Sequence, residues 1–446
     1  MSMPPNAAHS PTPVDAVLEA SWVVPVEPTG ALCDHAVVVD AGCILDVLPI
    51  PESRTRYSPR TRFELAGHVL IPGLINLHTH AAMTLMRGLA DDVPLMTWLK
   101  DHIWPIEVRE ATAQFVADGT LLACAEMLRG GVTLFNDMYF FPEAAARSAL
   151  AARMRASIGM IVVEFPSGYA SDPMQYLSKG LAMRDELRDA QLLTFCLAPH
   201  APYTVSDKTF AQVGTYAEEL DIPVHIHLHE TEDEIRQSLA EHHRRPLARL
   251  ESLGLVGNHL IAVHAVHLTR DEIALLARYG CTVAHCPSSN MKLASGIAPV
   301  RELLAAGTNV GLGTDGAASN NRLDMFSEMR HAALLAKVTT GDPTALPAHV
   351  ALEMATLNGA RALGLDHRVG SLTRGKAADI VAVDLSVPEL MPCYDPVSHL
   401  VYAAGRQHVR HVWVGGDLVV EDGALTHIDP RELAAKANHW RTRIRR

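Results

Sequence analysis

Apolar and polar positions change their rhythm twice along the chain. Before about residue 70, apolar stretches such as Trp22-Val23-Val24 and Ala36-Val37-Val38-Val39 are cut by turn signals such as Glu27-Pro28-Thr29-Gly30. That pattern predicts short strands. From about Ile71, short continuous apolar runs alternate with stretches of helical period, for example 113–128 and 271–277. Eight of these runs read as strands: 71–77, 132–138, 156–163, 192–198, 223–229, 259–264, 281–285 and 309–314. Continuous apolar runs suit parallel strands covered on both faces, and eight strand-then-helix units predict a closed (β/α)8 barrel. A doubly wound sheet would show a similar alternation. After about Val369 the rhythm returns to strands, at 378–385 and 411–420 around Gly415-Gly416, and a helical tail follows from Pro430. The expected architecture is α/β, a TIM-like barrel over 71–368. Beside it sits a small β-sandwich domain formed from both chain ends, 1–70 and 369–446.

Composition narrows this picture without redirecting it. A chain of 446 residues with 48% hydrophobic and 20% charged positions can bury a large core, which argues against disorder. The formal charge of −12 excludes the basic footprint of a nucleic-acid binder, while an uncharged nucleoside remains admissible as a ligand. Seven cysteines without CxxC spacing read as reduced thiols of a cytoplasmic protein. Met1 to Asp15 show neither a basic nor an apolar leader region, and no apolar run approaches the roughly 18 residues of a membrane span. The expectation is therefore a cytoplasmic protein with no membrane partner. No interface can be read from the chain, and a homo-oligomer stays open.

The polar signals fall at the C-terminal ends of the predicted strands, where the βα loops of a barrel project side chains into one mouth. The first strand ends in Leu77-His78-Thr79-His80, and residues two apart on a strand share a side, so both imidazoles can reach one ion. The fifth carries His225-Ile226-His227-Leu228-His229-Glu230. Its three histidines share a face, and a carboxylate three residues after His227 marks that histidine as the ligand and Glu230 as a proton carrier at the rim. The sixth ends in His264, and the eighth in Gly313-Thr314-Asp315-Gly316, a carboxylate at a strand tip between glycines. Each signal alone has a plain structural reading, a satisfied core histidine or an Asp capping the next helix. Three histidine-bearing tips and one carboxylate tip at a single mouth favour a metal site.

With these residues placed, the chain resembles the amidohydrolase superfamily. Ile71-Pro72-Gly73-Leu74-Ile75-Asn76-Leu77-His78-Thr79-His80 is similar to that family's entry into the barrel. Gly370-Ser371-Leu372 and Gly375-Lys376-Ala377-Ala378-Asp379-Ile380-Val381 are similar to its exit. The resemblance implies His78, His80, His227 and Asp315 as metal ligands, with Glu230, His264 and Asp315 as the proton-transfer and orienting groups. The bridging lysine of two-metal members has no counterpart in Leu192–Ala198, which implies one divalent ion, zinc by the donor set, with iron(II) as the alternative.

Within that branch the chain is similar to the methylthioadenosine/S-adenosylhomocysteine deaminase group. The marks are Thr79-His80-Ala81-Ala82-Met83-Thr84, Trp98-Leu99 to Pro105-Ile106-Glu107, Pro199-His200-Ala201-Pro202-Tyr203 and Gly313 to Asn320. The resemblance implies substrate contacts from Glu107, on the two ribose hydroxyls, and from His200, near the purine. Met83, Trp98 and Ser319 join them. Relatives that take S-adenosylhomocysteine place arginines after the third strand. Here that stretch runs from Ser157 through Tyr169 and Tyr176, and its only cations before Arg188 are Lys179 and Arg184 on a predicted helix. An apolar pocket end suits a methylthio group better than an unpaired zwitterion. The expected reaction is hydrolytic deamination of an adenosine-type nucleoside, 5′-methylthioadenosine foremost, with S-adenosylhomocysteine or adenosine as further substrates. A guanine- or cytosine-type deaminase or a triazine hydrolase of the same branch is the alternative. A non-catalytic scaffold is disfavoured because all six metal and proton-transfer positions are filled. His102, His225, His229, His267 and His285 are left without roles.

Overall fold

Strands buried on both faces open the chain. The computed structural model describes residues 11–445; residues 1–10, most of the segment read above for a leader, and residue 446 lie outside the described residues. In β1 (Thr12–Val23) the adjacent Val17 and Leu18 are fully buried in different apolar clusters, and Val37 and Val38 of β2 (Leu32–Asp40) are divided in the same way. Successive side chains of a strand point to opposite faces, so both faces of these strands are covered. β3 (Cys43–Pro49) and the long β4 (Tyr57–Pro72) follow.

Eight parallel strands come next: β5 (Leu74–Thr79), β6 (Val132–Tyr139), β7 (Arg155–Val162), β8 (Leu193–Pro199), β9 (Val224–Leu228), β10 (Leu260–His264), β11 (Thr282–His285) and β12 (Asn309–Leu312). They lie side by side in chain order. The Asp315 amide donates to the His78 carbonyl at 3.0 Å where the last strand meets the first. The chain returns as β13 (Ile380–Asp384), β14 (Val409–Val414), β15 (Asp417–Glu421) and β16 (Ala424–Leu425). The second sheet runs β16-β15-β14-β13-β4-β1-β2-β3, so the two chain ends share one ladder through antiparallel pairing of β13 with β4. No helix among the described residues is long and apolar enough to cross a membrane.

One predicted strand is shifted. The run 71–77 was expected to open the barrel, but Ile71 and Pro72 pair with Val381 and Ile380 in the terminal sheet, and the barrel strand starts at Leu74. Gly73 carries the changeover, because a Cβ there would stand 2.0 Å from the Thr133 hydroxyl. An apolar run cannot reveal such a change of sheet, since both environments are buried. The other seven barrel strands lie within two residues of their expected bounds.

An ion pair ties the barrel to the terminal sheet. Arg155, the first residue of β7, donates through Nε and Nη2 to both carboxylate oxygens of Asp379, at 2.8 and 3.0 Å, and both side chains are buried. The Gly415 amide donates to Asp379 Oδ1 at 2.7 Å. Asp379→Ala strands a buried guanidinium and an amide, so a loss of about 3–5 kcal/mol is expected, read as a lower denaturant midpoint. An unchanged midpoint would mean that water replaces the carboxylate.

Candidate active site

Strand alternation brings His78 to the mouth of the barrel at the end of β5, and His80 follows just beyond it; His227 lies on β9 and Asp315 just past β12. One ligand atom from each of these four falls within 4.8 Å of all the others. His78 Nε2 and His80 Nε2 stand 3.3 and 3.2 Å from Asp315 Oδ1, and His227 Nε2 is 3.3 Å from His80 Nε2. The opposite ring nitrogens are engaged: His80 Nδ1 with the Met138 carbonyl at 2.6 Å, His227 Nδ1 with the His200 carbonyl at 2.7 Å, and His78 Nδ1 with His225 Nε2 at 2.9 Å. A carbonyl can only accept, so the protons of His80 and His227 sit on Nδ1 and their Nε2 lone pairs face the centre. His78 Nε2 is fully buried and has no hydrogen-bond partner. Three imidazole nitrogens and one carboxylate oxygen, preset in this way, form a donor set that suits a divalent ion such as zinc.

The field of the cluster points the same way. Burial disfavours both charges, yet Asp315 is held well below the usual carboxylate range by the His78 and His80 rings. Burial also opposes a proton on His80, but the Asp315 carboxylate outweighs it and pushes that ring up to about 9. His78 is more deeply buried, and burial pulls it down to about 4. Gly313 is required beside it, because a Cβ would lie 2.8 Å from the His78 backbone nitrogen.

Asp315 is held by groups the sequence reading did not assign to it. Ser289 and Ser319 hydroxyls donate to Oδ2 at 2.6 and 2.7 Å, and the Gly316 amide donates to Oδ1 at 2.7 Å. Ser319 was expected to touch substrate; instead it is buried behind Asp315, outside the cavity wall. The spacing of four residues puts it one turn beyond Asp315, where its hydroxyl meets the carboxylate before it meets the cavity.

Glu230 and His264 meet across the cluster, with Glu230 Oε1 3.8 Å from His264 Nε2. Burial raises the Glu230 carboxyl above its ordinary value, against the pull of His264. His264 Nδ1 bonds Asn290 Oδ1 at 2.8 Å, which places the proton on Nδ1 and turns the Nε2 lone pair to the cavity. Three strand tips leave the β region here: His229, His264 and Asp315 have φ of 56°, 70° and 60°. A left-handed non-glycine residue costs roughly 1–3 kcal/mol and persists where its surroundings over-determine it. Glu234 supplies one such restraint, its two carboxylate oxygens accepting from the His229 and Glu230 amides at 2.9 and 2.8 Å. A signal for Glu234 was present: Thr231-Glu232-Asp233-Glu234 has the S/T-x-x-E spacing of a helix start.

These groups share a cleft of about 810 Å³, open to solvent at one side. Met83, Trp98, Glu107 and His200 all line it, together with Leu95, Leu99, Trp104, Phe140, Ile161, Val163 and Phe165. No lysine or arginine is among the lining residues. Tyr169 and Tyr176, expected at its apolar end, are buried outside the wall; the chain turns them inward, where Tyr176 bonds Ser167 at 2.5 Å. Glu107 accepts from the Tyr139 hydroxyl at 2.7 Å, and burial pushes its carboxyl up to about 7. Four of the unassigned histidines take structural positions. His225 backs His78; His229 accepts from the Leu247 amide at 3.0 Å and meets the His267 carbonyl at 3.1 Å; His267 donates to the Ser295 carbonyl at 2.7 Å; His285 is buried near His264. His102 lies outside the cleft wall.

The amidohydrolase family profile matches residues 69–419. A protein of Teredinibacter turnerae named 5-methylthioadenosine/S-adenosylhomocysteine deaminase is 48% identical over 434 residues, which span 97% of this chain and 98% of that one. Another of the same name, from Saccharophagus degradans, is 46% identical over 97% of both chains. The crystal structure of an adenosine deaminase from Xanthomonas campestris with bound zinc matches with a TM-score of 0.96 at 49% identity, covering 98% of this chain and 99% of that one.

Proposed function

The chain belongs to the amidohydrolase family, and from that premise we propose that it hydrolytically deaminates an adenosine-type nucleoside, 5′-methylthioadenosine foremost, to the inosine analogue and ammonia. One observation carries the reading: the His78–His80–His227–Asp315 cluster opens through His80, His227 and Asp315 on a single cleft that Glu107 and several apolar side chains also line. The four residues of that cluster would hold a single divalent ion, zinc by the donor set, which would supply the positive charge that makes water nucleophilic near neutral pH.

The chain's own groups do the rest. Glu230, its carboxyl raised above the ordinary value by burial, gives its proton to the ring nitrogen beside the amino-bearing carbon, which draws negative charge onto that nitrogen as water attacks. His264 orients the attacking water through Nε2. Asp315, the carboxylate beside the ligand histidines, takes the water proton. Asp315 passes that proton to the departing amino group, and as ammonia leaves the proton of the added hydroxyl returns to Glu230, which restores both carboxyl groups. Trp98 and Met83 cover the purine, His200 contacts its edge, and Glu107 accepts from the ribose hydroxyls.

Ammonia release from methylthioadenosine, adenosine, S-adenosylhomocysteine, guanine and cytosine, beside chloride release from a chlorotriazine, tests this reading. Methylthioadenosine should give the highest kcat/KM. Glu107→Ala should raise the KM of nucleosides by about 10-fold or more, the worth of hydrogen bonds to a charged acceptor. Turnover confined to a free base would refute the nucleoside reading and leave the metal cluster standing.

A further inference from the structure

The main cleft does not end at Glu107. A second, smaller pocket, partly open to solvent, adjoins it, and Trp104, Glu107, Phe140 and Phe165 line both spaces. Its outer wall adds Val108 and Phe141, and Glu107 is the only charged residue in the lining. Two of its apolar residues are exposed, Val108 at 81% and Phe165 at 41%, although each stands within reach of an enclosed apolar wall. The nearby cations are engaged elsewhere: Arg109 with Glu110 and the Ile444 carbonyl, and Lys179 with the Tyr169 carbonyl. The Ser167 hydroxyl is also engaged, bonded to Tyr176 and to the Tyr169 amide.

The geometry points to this second cavity as a subsite for apolar 5′-thioether tails larger than methyl, such as butylthio or benzylthio. It rests on the nucleoside reading above. With the purine at the metal cluster and the ribose on Glu107, the 5′ substituent leaves the sugar at the boundary of the two spaces. A short methyl group stops there. A longer alkyl or aryl tail passes between Trp104, Phe140 and Phe165 and buries itself against Val108 and Phe141. A homocysteine tail would bring an ammonium and a carboxylate to a wall with no partner for the carboxylate, and it is rejected for that reason.

The test compares 5′-methylthio-, 5′-butylthio- and 5′-benzylthioadenosine with S-adenosylhomocysteine on the metal-loaded enzyme. Ammonia release gives kcat/KM, and quenching of tryptophan fluorescence gives affinity without turnover. Each buried methylene should tighten binding by on the order of fourfold, so the butylthio compound should bind at least 10-fold tighter than the methylthio. S-adenosylhomocysteine should have a kcat/KM at least 100-fold below the methylthio compound. Val108→Arg, at an exposed position that tolerates a long side chain, should shift the ratio of S-adenosylhomocysteine to butylthio kcat/KM by 10-fold or more towards the former. Butylthio binding weaker than methylthio, or an unmoved ratio in Val108→Arg, overturns the subsite. The affinity order with no ammonia from any nucleoside would keep the subsite and sink the deamination reading instead.

Discussion

Glu230→Gln should keep the metal content of the parent protein and lose about 10²–10⁴-fold in kcat for nucleoside deamination, the range of a positioned general acid. The substitution preserves the shape of the side chain and the backbone contacts of Glu234 with residues 229 and 230, so folding and the cluster stay intact. What disappears is a transferable proton. An amide can donate a hydrogen bond to the purine nitrogen but cannot hand a proton over, and charge then accumulates on the ring as water attacks. Burial raises the Glu230 carboxyl above its ordinary value, the direction in which a general acid is tuned. KM should change little, because the lost interaction develops in the transition state. Elemental analysis beside ammonia release checks the split. Parent-like turnover would remove Glu230 from the chemistry, and lost metal would mean that it helps to hold the ion.

The inner half of this site was legible in the sequence because strand geometry leaves few choices. A side chain at the end of a barrel strand has one mouth to enter, so His78, His80, His227, His264 and Asp315 could be placed from spacing and run length alone. The outer half obeys no such rule. Trp104 and Phe165 reach the cleft from segments between strands, where the direction of a side chain depends on tertiary packing and not on a period. That is why Tyr169 and Tyr176 were assigned to a wall that Phe140 and Phe165 form instead. Ser319 went astray for a related reason. Its position relative to Asp315 was evident, but whether its hydroxyl turned to the cavity or to the carboxylate depended on the second donor, Ser289, which comes from a different strand end. The change of sheet at Gly73 was hidden because apolar residues stand on both sides of it.

Removal of a ligand should have the opposite signature to Glu230→Gln. His78→Ala and Asp315→Ala should each purify with metal reduced from about one ion per chain to a small fraction, and with ammonia release at background, because catalysis depends on the ion's charge. Asp315 also accepts from Ser289, Ser319 and Gly316, so His78→Ala is the cleaner of the two removals. His78 is completely buried, its Nδ1 occupied by His225 and its Nε2 without a hydrogen-bond partner, so its one free atom faces the cluster. An outer partner of a ligand is typically worth 10–100-fold in metal affinity, and one of only four inner ligands must be worth more. Stability supplies a readout independent of turnover. An ion that binds only the folded state adds about 4 kcal/mol at 1,000 times its Kd, so zinc should raise the Tm of the chelator-treated parent by several degrees and leave the His78→Ala Tm almost unmoved. If Asp315→Ala kept its metal while activity vanished, the carboxylate would act in proton transfer alone. The ion would then rest on three imidazoles, and the ligand role read from its 3.2–3.3 Å approach to His80 and His78 would be wrong.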